Sequence, residues 1–138
     1  MPSDGVLVLA DDLIWATRLV GHVRATGGEP IHVRDAAAFR VALNGGARAA
    51  AIVDLTARAY DGIEAIELAK AAGLRVLAVG QHDDLTLRKS ALAAGAERVY
   101  AYRKLFEDGP ATLAAWLGTV VAGSAGSAGS VGSAGSAE

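Results

Sequence analysis

Short apolar runs alternate with segments of helical periodicity along this chain, and this alternation constrains the fold more than any other feature. The runs occupy residues 6–10, 31–33, 49–53, 76–79 and 99–102. Continuous apolar runs of this length are typical of parallel strands that are buried on both faces. The intervening segments carry apolar residues at helical spacing, and each ends at a glycine. The pattern therefore predicts five strands that alternate with helices.

Repeats of strand and helix imply right-handed crossovers and a parallel sheet with helices on both faces. We predict a flavodoxin-like α/β fold of three layers, with a five-stranded sheet of order 2-1-3-4-5. The 138 residues are enough for one such domain with a hydrophobic core, but not for two. After the fifth run, Asp108, Gly109 and Pro110 predict the start of the last helix, because proline suits a first helical turn.

The last part of the chain has a different composition. Residues 123–138 consist of Gly, Ser and Ala with one Val and a terminal Glu. These residues bury too little apolar surface to offset the entropy of ordering. We predict a domain over residues 1–122 and a flexible tail over residues 123–138, which is either a natural linker or a remnant of cloning.

Composition excludes several classes of protein. Apolar residues make up 52% of the chain and charged residues 20%, which is typical of a globular domain. A net charge of −2 argues against a nucleic-acid surface, and the absence of cysteine excludes disulfides and thiolate metal sites. The first four residues carry no basic region and the run at residues 6–10 is too short for a signal peptide, so we expect none; no apolar run has the length of a membrane span. We expect a soluble, cytoplasmic protein.

Three acidic residues follow the strands at which this fold binds its ligands. Asp11 and Asp12 come directly after strand 1, and Asp54 ends strand 3. The crevice between these two strands is the topological switch point of the fold. Carboxylates that converge there repel one another unless a cation neutralises them, and oxygen ligands suit Mg²⁺. We therefore expect a magnesium site in this crevice.

The layout resembles the receiver domains of bacterial response regulators over about residues 5–121. An acidic pair follows strand 1, an Asp closes strand 3, and Asp61-Gly62 comes seven residues after Asp54. The resemblance implies that Asp54 is the phosphoacceptor. It also implies that Mg²⁺ is bound by Asp11, Asp12 and Asp54, with the carbonyl of Thr56 as a possible further ligand.

Simpler interpretations of two of these acids remain open. Asp12 would also serve as the N-cap of helix 1, which is a common use of aspartate. Asp61-Gly62 would also serve only as a turn into a helix.

The chain departs from the receiver pattern at two positions around the expected site. Receivers carry Ser or Thr at the end of strand 4, where this chain has Gly80. They place a Lys before a cis-proline after strand 5. The ungapped position of that Lys is Tyr102, and Arg103 or Lys104 would fill it after an insertion of one or two residues. We expect Lys104 to face the acids, because a two-residue shift preserves the facing direction in a strand.

Three further residues differ from the pattern or add to it. Leu105 replaces the proline and removes the usual basis for a cis bond. Arg58 occupies the position of a proline in the loop after the phosphoacceptor. His82, after strand 4, is either a solvated side chain or a proton-sensitive donor to Asp54.

Two functions are compatible with these features. One is a phosphorylatable receiver that changes a helix face read by a protein partner, either a histidine kinase or an output domain. The other is a phosphorylation-independent docking module of the same fold. A flavin carrier is disfavoured because Asp11 and Asp12 would repel its phosphate. An acid-rich phosphatase is disfavoured as well, because such enzymes usually have an Asp-x-Asp pattern and these two acids are adjacent. We see no second catalytic set and expect no enzymatic activity.

The tail generates a first prediction. Deleting residues 123–138 should leave the melting temperature nearly unchanged, because Gly, Ser and Ala bury almost no surface there. Thermal unfolding followed by circular dichroism measures this. A large decrease would show that the domain boundary lies further along the chain.

Overall fold

The sheet has the predicted topology. The computed structural model describes residues 5–45, 49–81 and 83–125. Its strands are β1 (Gly5–Leu9), β2 (Glu29–Val33), β3 (Ala50–Asp54), β4 (Arg75–Gly80) and β5 (Arg98–Ala101). They form one sheet of order β2-β1-β3-β4-β5, in which every neighbouring pair is parallel. The flavodoxin-like order is therefore confirmed.

Helices follow each strand. They are α1 (Leu13–Ala25), α2 (Ala36–Asn44), α3 (Gly62–Ala71), α4 (Leu85–Ala94) and α5 (Tyr102–Ala125). Aspartates cap the first four of them, and each carboxylate accepts a backbone N–H of the first turn: Asp12, Asp35, Asp61 and Asp84. Such caps satisfy donors that a helix start leaves without an intrahelical partner.

The hydrophobic core lies on both faces of the sheet, as the continuous apolar runs require. In β1, Val6 and Val8 face the layer formed by α1 and α5, whereas Leu7 and Leu9 face the layer formed by α2, α3 and α4. This alternation follows from the two-residue period of a strand. All four side chains are buried, so neither face of the central sheet tolerates a charge. In the described part of the chain, no helix has the length and apolar character needed to cross a membrane.

The last strand and helix differ from the prediction. Strand β5 ends at Ala101, and Tyr102 is already the first residue of α5. The backbone leaves the helical conformation at Asp108 (φ −148°, ψ 35°), within the Asp108-Gly109-Pro110 sequence that was expected to start the helix. Helical segments therefore lie on both sides of a kink at Asp108, and Pro110 stands in the first turn of the second segment, as proline favours. The first segment, over residues 102–107, was not predicted.

Helix α5 extends to Ala125, and its last residues include the first three of the predicted tail. Residues 126–138 lie outside the described residues, so the flexible tail stays a prediction.

A polar cluster anchors the second segment of α5 at the amino end of the sheet. The Arg75 guanidinium donates two hydrogen bonds, of 2.6 and 2.9 Å, to the two carboxylate oxygens of Glu97. The Trp116 indole N–H donates to the same carboxylate at 3.1 Å, and the Arg75 guanidinium lies 5.1 Å from the Trp116 ring centroid. The pKa of Glu97 is lowered, first by the hydrogen bonds from Arg75. This cluster fixes α5 against β4 and β5.

The kink also brings α5 close to α1. Gly109 is buried against the imidazole of His22, and a side-chain carbon at Gly109 would overlap this ring. On the same helix, Gly118 has no atom within 4 Å of the position where a side chain would begin. These two glycines therefore provide a matched test of the α1–α5 contact.

Gly109→Ala should lower the free energy of unfolding by about 1–3 kcal/mol, because an overpacked contact forces its neighbours to move. Gly118→Ala should raise it by about 0.5–1 kcal/mol, because alanine favours the helix. Urea unfolding measures both. In a His22→Ala background the Gly109→Ala penalty should disappear; a penalty that persists there would contradict the contact.

Candidate functional site

Asp54 lies at the carboxyl end of central strand β3 and is only 1% exposed. Its Oδ1 atom accepts a hydrogen bond from the Thr56 backbone N–H at 3.1 Å and another from the Thr56 hydroxyl at 3.1 Å. The Tyr102 hydroxyl donates to the same oxygen and also contacts the Thr56 hydroxyl. One carboxylate oxygen thus accepts three hydrogen bonds from its own chain.

Tyr102 reaches this carboxylate because of the strand register. Asp54 is opposite Val79, and Gly80 is opposite Ala101, so Tyr102 begins α5 at the same edge of the sheet. Its ring packs on the Trp15 ring of α1, with centroids 4.5 Å apart. The Tyr102 phenol therefore extends past the end of β4 and reaches Asp54 on β3. The Trp15 ring of α1 packs against it.

Burial governs the protonation of the site. It raises the pKa of Asp54, and the hydrogen bonds from Tyr102 and Thr56 act in the opposite direction, while the nearby Asp11 raises the pKa further. Burial also raises the pKa of Tyr102, as do its hydrogen bond to Asp54 and the charge of that carboxylate. The phenol therefore stays protonated and remains a hydrogen-bond donor.

The other two acids are used to order the backbone. Asp11 Oδ2 accepts the backbone N–H groups of Arg58 and Ala59, at 2.9 and 3.0 Å. Asp12 Oδ1 accepts the Trp15 N–H at 3.0 Å and is the N-cap of α1. The helix-cap interpretation of Asp12 matches this geometry, and Asp11 fixes the loop that follows β3.

The donor set does not fit a preformed magnesium site. Asp11, Asp12 and Asp54 each have one oxygen committed to donors of the chain. Among the described residues, no group of three or more His, Asp or Glu side chains is arranged to hold a metal ion. Thr56, the expected carbonyl ligand, contributes its N–H and hydroxyl to Asp54. A cation in this crevice would be held by the second oxygen of each carboxylate, or it would have to displace these donors.

Sequence reasoning missed Tyr60. Its hydroxyl lies 2.6 Å from the Asp54 carbonyl oxygen and 3.0 Å from the Leu9 carbonyl oxygen, so it links the ends of β3 and β1. Burial, followed by the charge of Asp54, raises its pKa. The only signal in the sequence is an aromatic residue in the loop after a strand that ends in Asp.

No protein-family model and no curated protein sequence matches the chain. Solved structures do. A response regulator from Clostridium difficile matches 86% of this chain and 98% of its own, at a TM-score of 0.74 and 12% identity. NtrX from Brucella abortus matches 85% of this chain at a TM-score of 0.67 and 21% identity. The match spans only 28% of NtrX.

A third structure is a response regulator from Burkholderia pseudomallei with a phosphorylated aspartic acid, a calcium ion and citrate. It matches 88% of this chain and 74% of its own, at a TM-score of 0.65 and 16% identity. The chain has the receiver-domain fold.

Within the receiver fold, the structure distinguishes the three residues considered for the lysine position. Tyr102 contacts Asp54, whereas Lys104 is exposed and Arg103 pairs with Glu107 at 3.2 Å. The expectation that Lys104 faces the acids was based on strand geometry. Because α5 starts at Tyr102, two residues rotate the side chain by about 200° rather than 360°. Leu105 is buried in the core instead, and the described residues contain no cis peptide bond.

Gly80 and Arg58 also depart from the receiver pattern near the carboxyl edge of the sheet. Gly80 is buried at the end of β4, and a side-chain carbon there would lie 3.4 Å from Leu55, in ordinary contact. A small hydroxyl residue therefore fits at this position. Arg58 contributes its backbone N–H to Asp11. His82 lies outside the described residues, so its role stays a prediction.

The buried carboxylate generates a prediction about pH. A raised pKa in the folded state favours the protonated form, so the stability linked to Asp54 is present at low pH and is lost as pH rises through the folded pKa. Asp54→Asn should therefore stabilise the protein at neutral pH, and the gain should shrink on acidification. Urea unfolding over a pH series measures it. Asp35→Asn, at an exposed helix cap, should have little effect at any pH; an equal gain there would contradict the explanation.

Proposed function

We propose that this domain is a receiver-like signalling module that acts through protein–protein contacts without phosphorylation of Asp54. The receiver fold supports a signalling role. The observation that carries the proposal is that Asp54 Oδ1 already accepts hydrogen bonds from Thr56 and Tyr102. In this state Asp54 is an internal structural acceptor.

Accessibility and charge support this proposal. A carboxylate that attacks a phosphoryl donor must be ionised and must be reached by that donor. Asp54 is 1% exposed, and burial raises its pKa. The residue that contacts it is a neutral phenol, whereas the resemblance would place a cationic lysine there. A neutral donor compensates less of the negative charge that a phosphoryl group would add.

The missing hydroxyl at Gly80 supports the same proposal. The resemblance assigns this position a donor to the phosphoryl oxygen, and glycine has no side chain to provide it. A ligand shifts a conformational equilibrium only through differential affinity for the two states. Losing a hydrogen bond to a charged group removes about 1.5–3 kcal/mol of such coupling. Any conformational response to phosphorylation would therefore be small.

The second candidate is a phosphorylatable receiver, and one observation favours it. The charge of Asp11 acts to raise the pKa of Asp54, which supports an acidic crevice shared by these two residues. Asp54 Oδ2 has no hydrogen-bond partner among the described residues, unlike Oδ1. This oxygen is the atom that would form the bond to phosphorus. We place this candidate second because the crevice provides neither the lysine nor the hydroxyl.

The partner we propose is a protein of a two-component system, either a histidine kinase or an output domain. The related structures include response regulators in which the matched region is a fraction of the chain, 28% in NtrX. A module of this kind can act by occupying a binding face that a phosphorylated receiver would otherwise use.

A small phosphodonor separates the two candidates. After incubation with acetyl phosphate and Mg²⁺, intact mass spectrometry should show no phosphorylated wild-type protein. The double variant Gly80→Thr, Tyr102→Lys restores the hydroxyl and the cation of the pattern and leaves the buried Leu105 unchanged. This variant should gain a phosphorylated fraction that Asp54→Asn removes.

Stability measurements provide the control for folding. Each variant should show a cooperative thermal transition before its mass spectrum is interpreted. Tens of millimolar Mg²⁺ should leave the wild-type melting temperature unchanged, since a ligand of the folded state must stabilise it. Phosphorylation of wild-type Asp54, with a Mg²⁺-dependent rise in melting temperature that Asp12→Asn and Asp54→Asn abolish, would establish the second candidate instead.

A further inference from the structure

Helices α1 and α5 meet through a regular series of contacts, here called the α1–α5 ladder. It has three pairs: Trp15 with Tyr102, Arg18 with Phe106, and His22 with Gly109. The members recur at spacings of three or four residues on both helices, so each set lies along one helix face. The first pair includes Tyr102, which donates to Asp54. The ladder therefore connects the His22–Gly109 pair to the candidate site.

The His22–Gly109 pair contains a titratable imidazole in an unusual environment. The Nε2 atom of His22 is buried without a hydrogen-bond partner. The ring fits because Gly109 has no side chain. A neutral imidazole has one nitrogen that carries no proton, but an imidazolium donates from both nitrogens. Protonation would therefore bury a charged donor that has no acceptor, which the ring avoids by moving out.

The charged groups around His22 make its protonation less favourable. Burial lowers the pKa of His22, as does the neighbouring positive charge of Arg18 on α1, while the backbone carbonyl of Leu105 on α5 opposes the shift. On the α5 side, Glu107 and Asp108 are the nearest acids in sequence, and both are exposed. Glu107 is paired with Arg103. On α1, Arg24 adds a further positive charge two residues after His22.

The backbone of α5 is interrupted at the level of this pair. Asp108, next to Gly109, has non-helical backbone angles, and Pro110 cannot donate a hydrogen bond to the preceding turn. The segment of residues 102–107 is thus joined to the rest of α5 at a kink. It carries Tyr102, and the helical backbone angles are interrupted at Asp108. A movement at Gly109 can displace this segment without unfolding the second segment.

We propose that the α1–α5 ladder is a pH-sensitive device in which neutral His22 keeps Tyr102 on Asp54 and protonated His22 loosens that contact. A histidine whose folded state favours the neutral form contributes stability above the unfolded pKa of about 6.5, and this contribution is lost as pH falls below that value. The contact should therefore be closed at neutral pH and open more often in mild acid. The inference does not depend on whether Asp54 is phosphorylated.

Amide hydrogen exchange of Thr56 tests the coupling, because this N–H donates to Asp54 Oδ1. From about pH 7.5 to about pH 5.5, the wild-type protection factor should fall about threefold or more, because protonation of His22 favours the open contact. The protection of Ile66, buried in α3, should stay the same. In His22→Gln the fall at Thr56 should be less than about twofold.

Two further variants make the result decisive. His32→Gln changes the other described histidine, whose Nε2 lies 2.8 Å from the Ala10 carbonyl oxygen, and it should retain the wild-type fall. His22→Leu replaces the ring with an apolar side chain and serves if His22→Gln unfolds. The proposal is overturned if wild-type Thr56 shows no fall, if Ile66 falls equally, or if the fall persists in both His22 variants.

Discussion

The hydrogen bond between Tyr102 and Asp54 joins the start of α5 to the end of the central strand β3. Asp54 ends the central strand β3, and its buried carboxylate needs donors because desolvation penalises its charge. Thr56 supplies two of them from the following loop, and Tyr102 supplies the third from the first residue of α5. The position of α5 and the chemical state of the acid therefore depend on each other.

This dependence explains why the chain can keep a receiver fold while its acid site differs from the receiver pattern. The fold is fixed by alternating strand burial, helix caps and the anchoring of α5 through Arg75, Glu97 and Trp116. None of these features requires a phosphoryl group or a metal ion. With a neutral donor in place of the expected lysine, one oxygen of the buried acid is satisfied by the chain itself.

The sequence was sufficient to predict the sheet order, because buried parallel strands leave a strong apolar signal and their crossovers have one hand. It also placed Asp54 at the end of β3 and identified Tyr102 as one occupant of the lysine position. It did not predict that α5 starts at Tyr102, since a Gly-Pro kink and a helix start leave the same signal. Lys104 was named from strand geometry and is exposed because α5 has already begun. The helix cap at Asp12 was one of the interpretations that the sequence left open, whereas the role of Tyr60 depends on a side-chain direction that periodicity does not encode.

The central claim is that the chain itself provides the hydrogen-bond donors to Asp54 Oδ1, and the NMR signal of this carboxyl group reports it directly. In protein labelled with ¹³C at aspartate carboxyl groups, the Asp54 signal is assigned by its loss in Asp54→Asn and followed during a Mg²⁺ titration at neutral pH. We predict that it does not change as Mg²⁺ is added, and that it moves when Tyr102→Phe removes the phenol. A saturable shift of the wild-type signal with Mg²⁺, together with no response to Tyr102→Phe, would contradict the account.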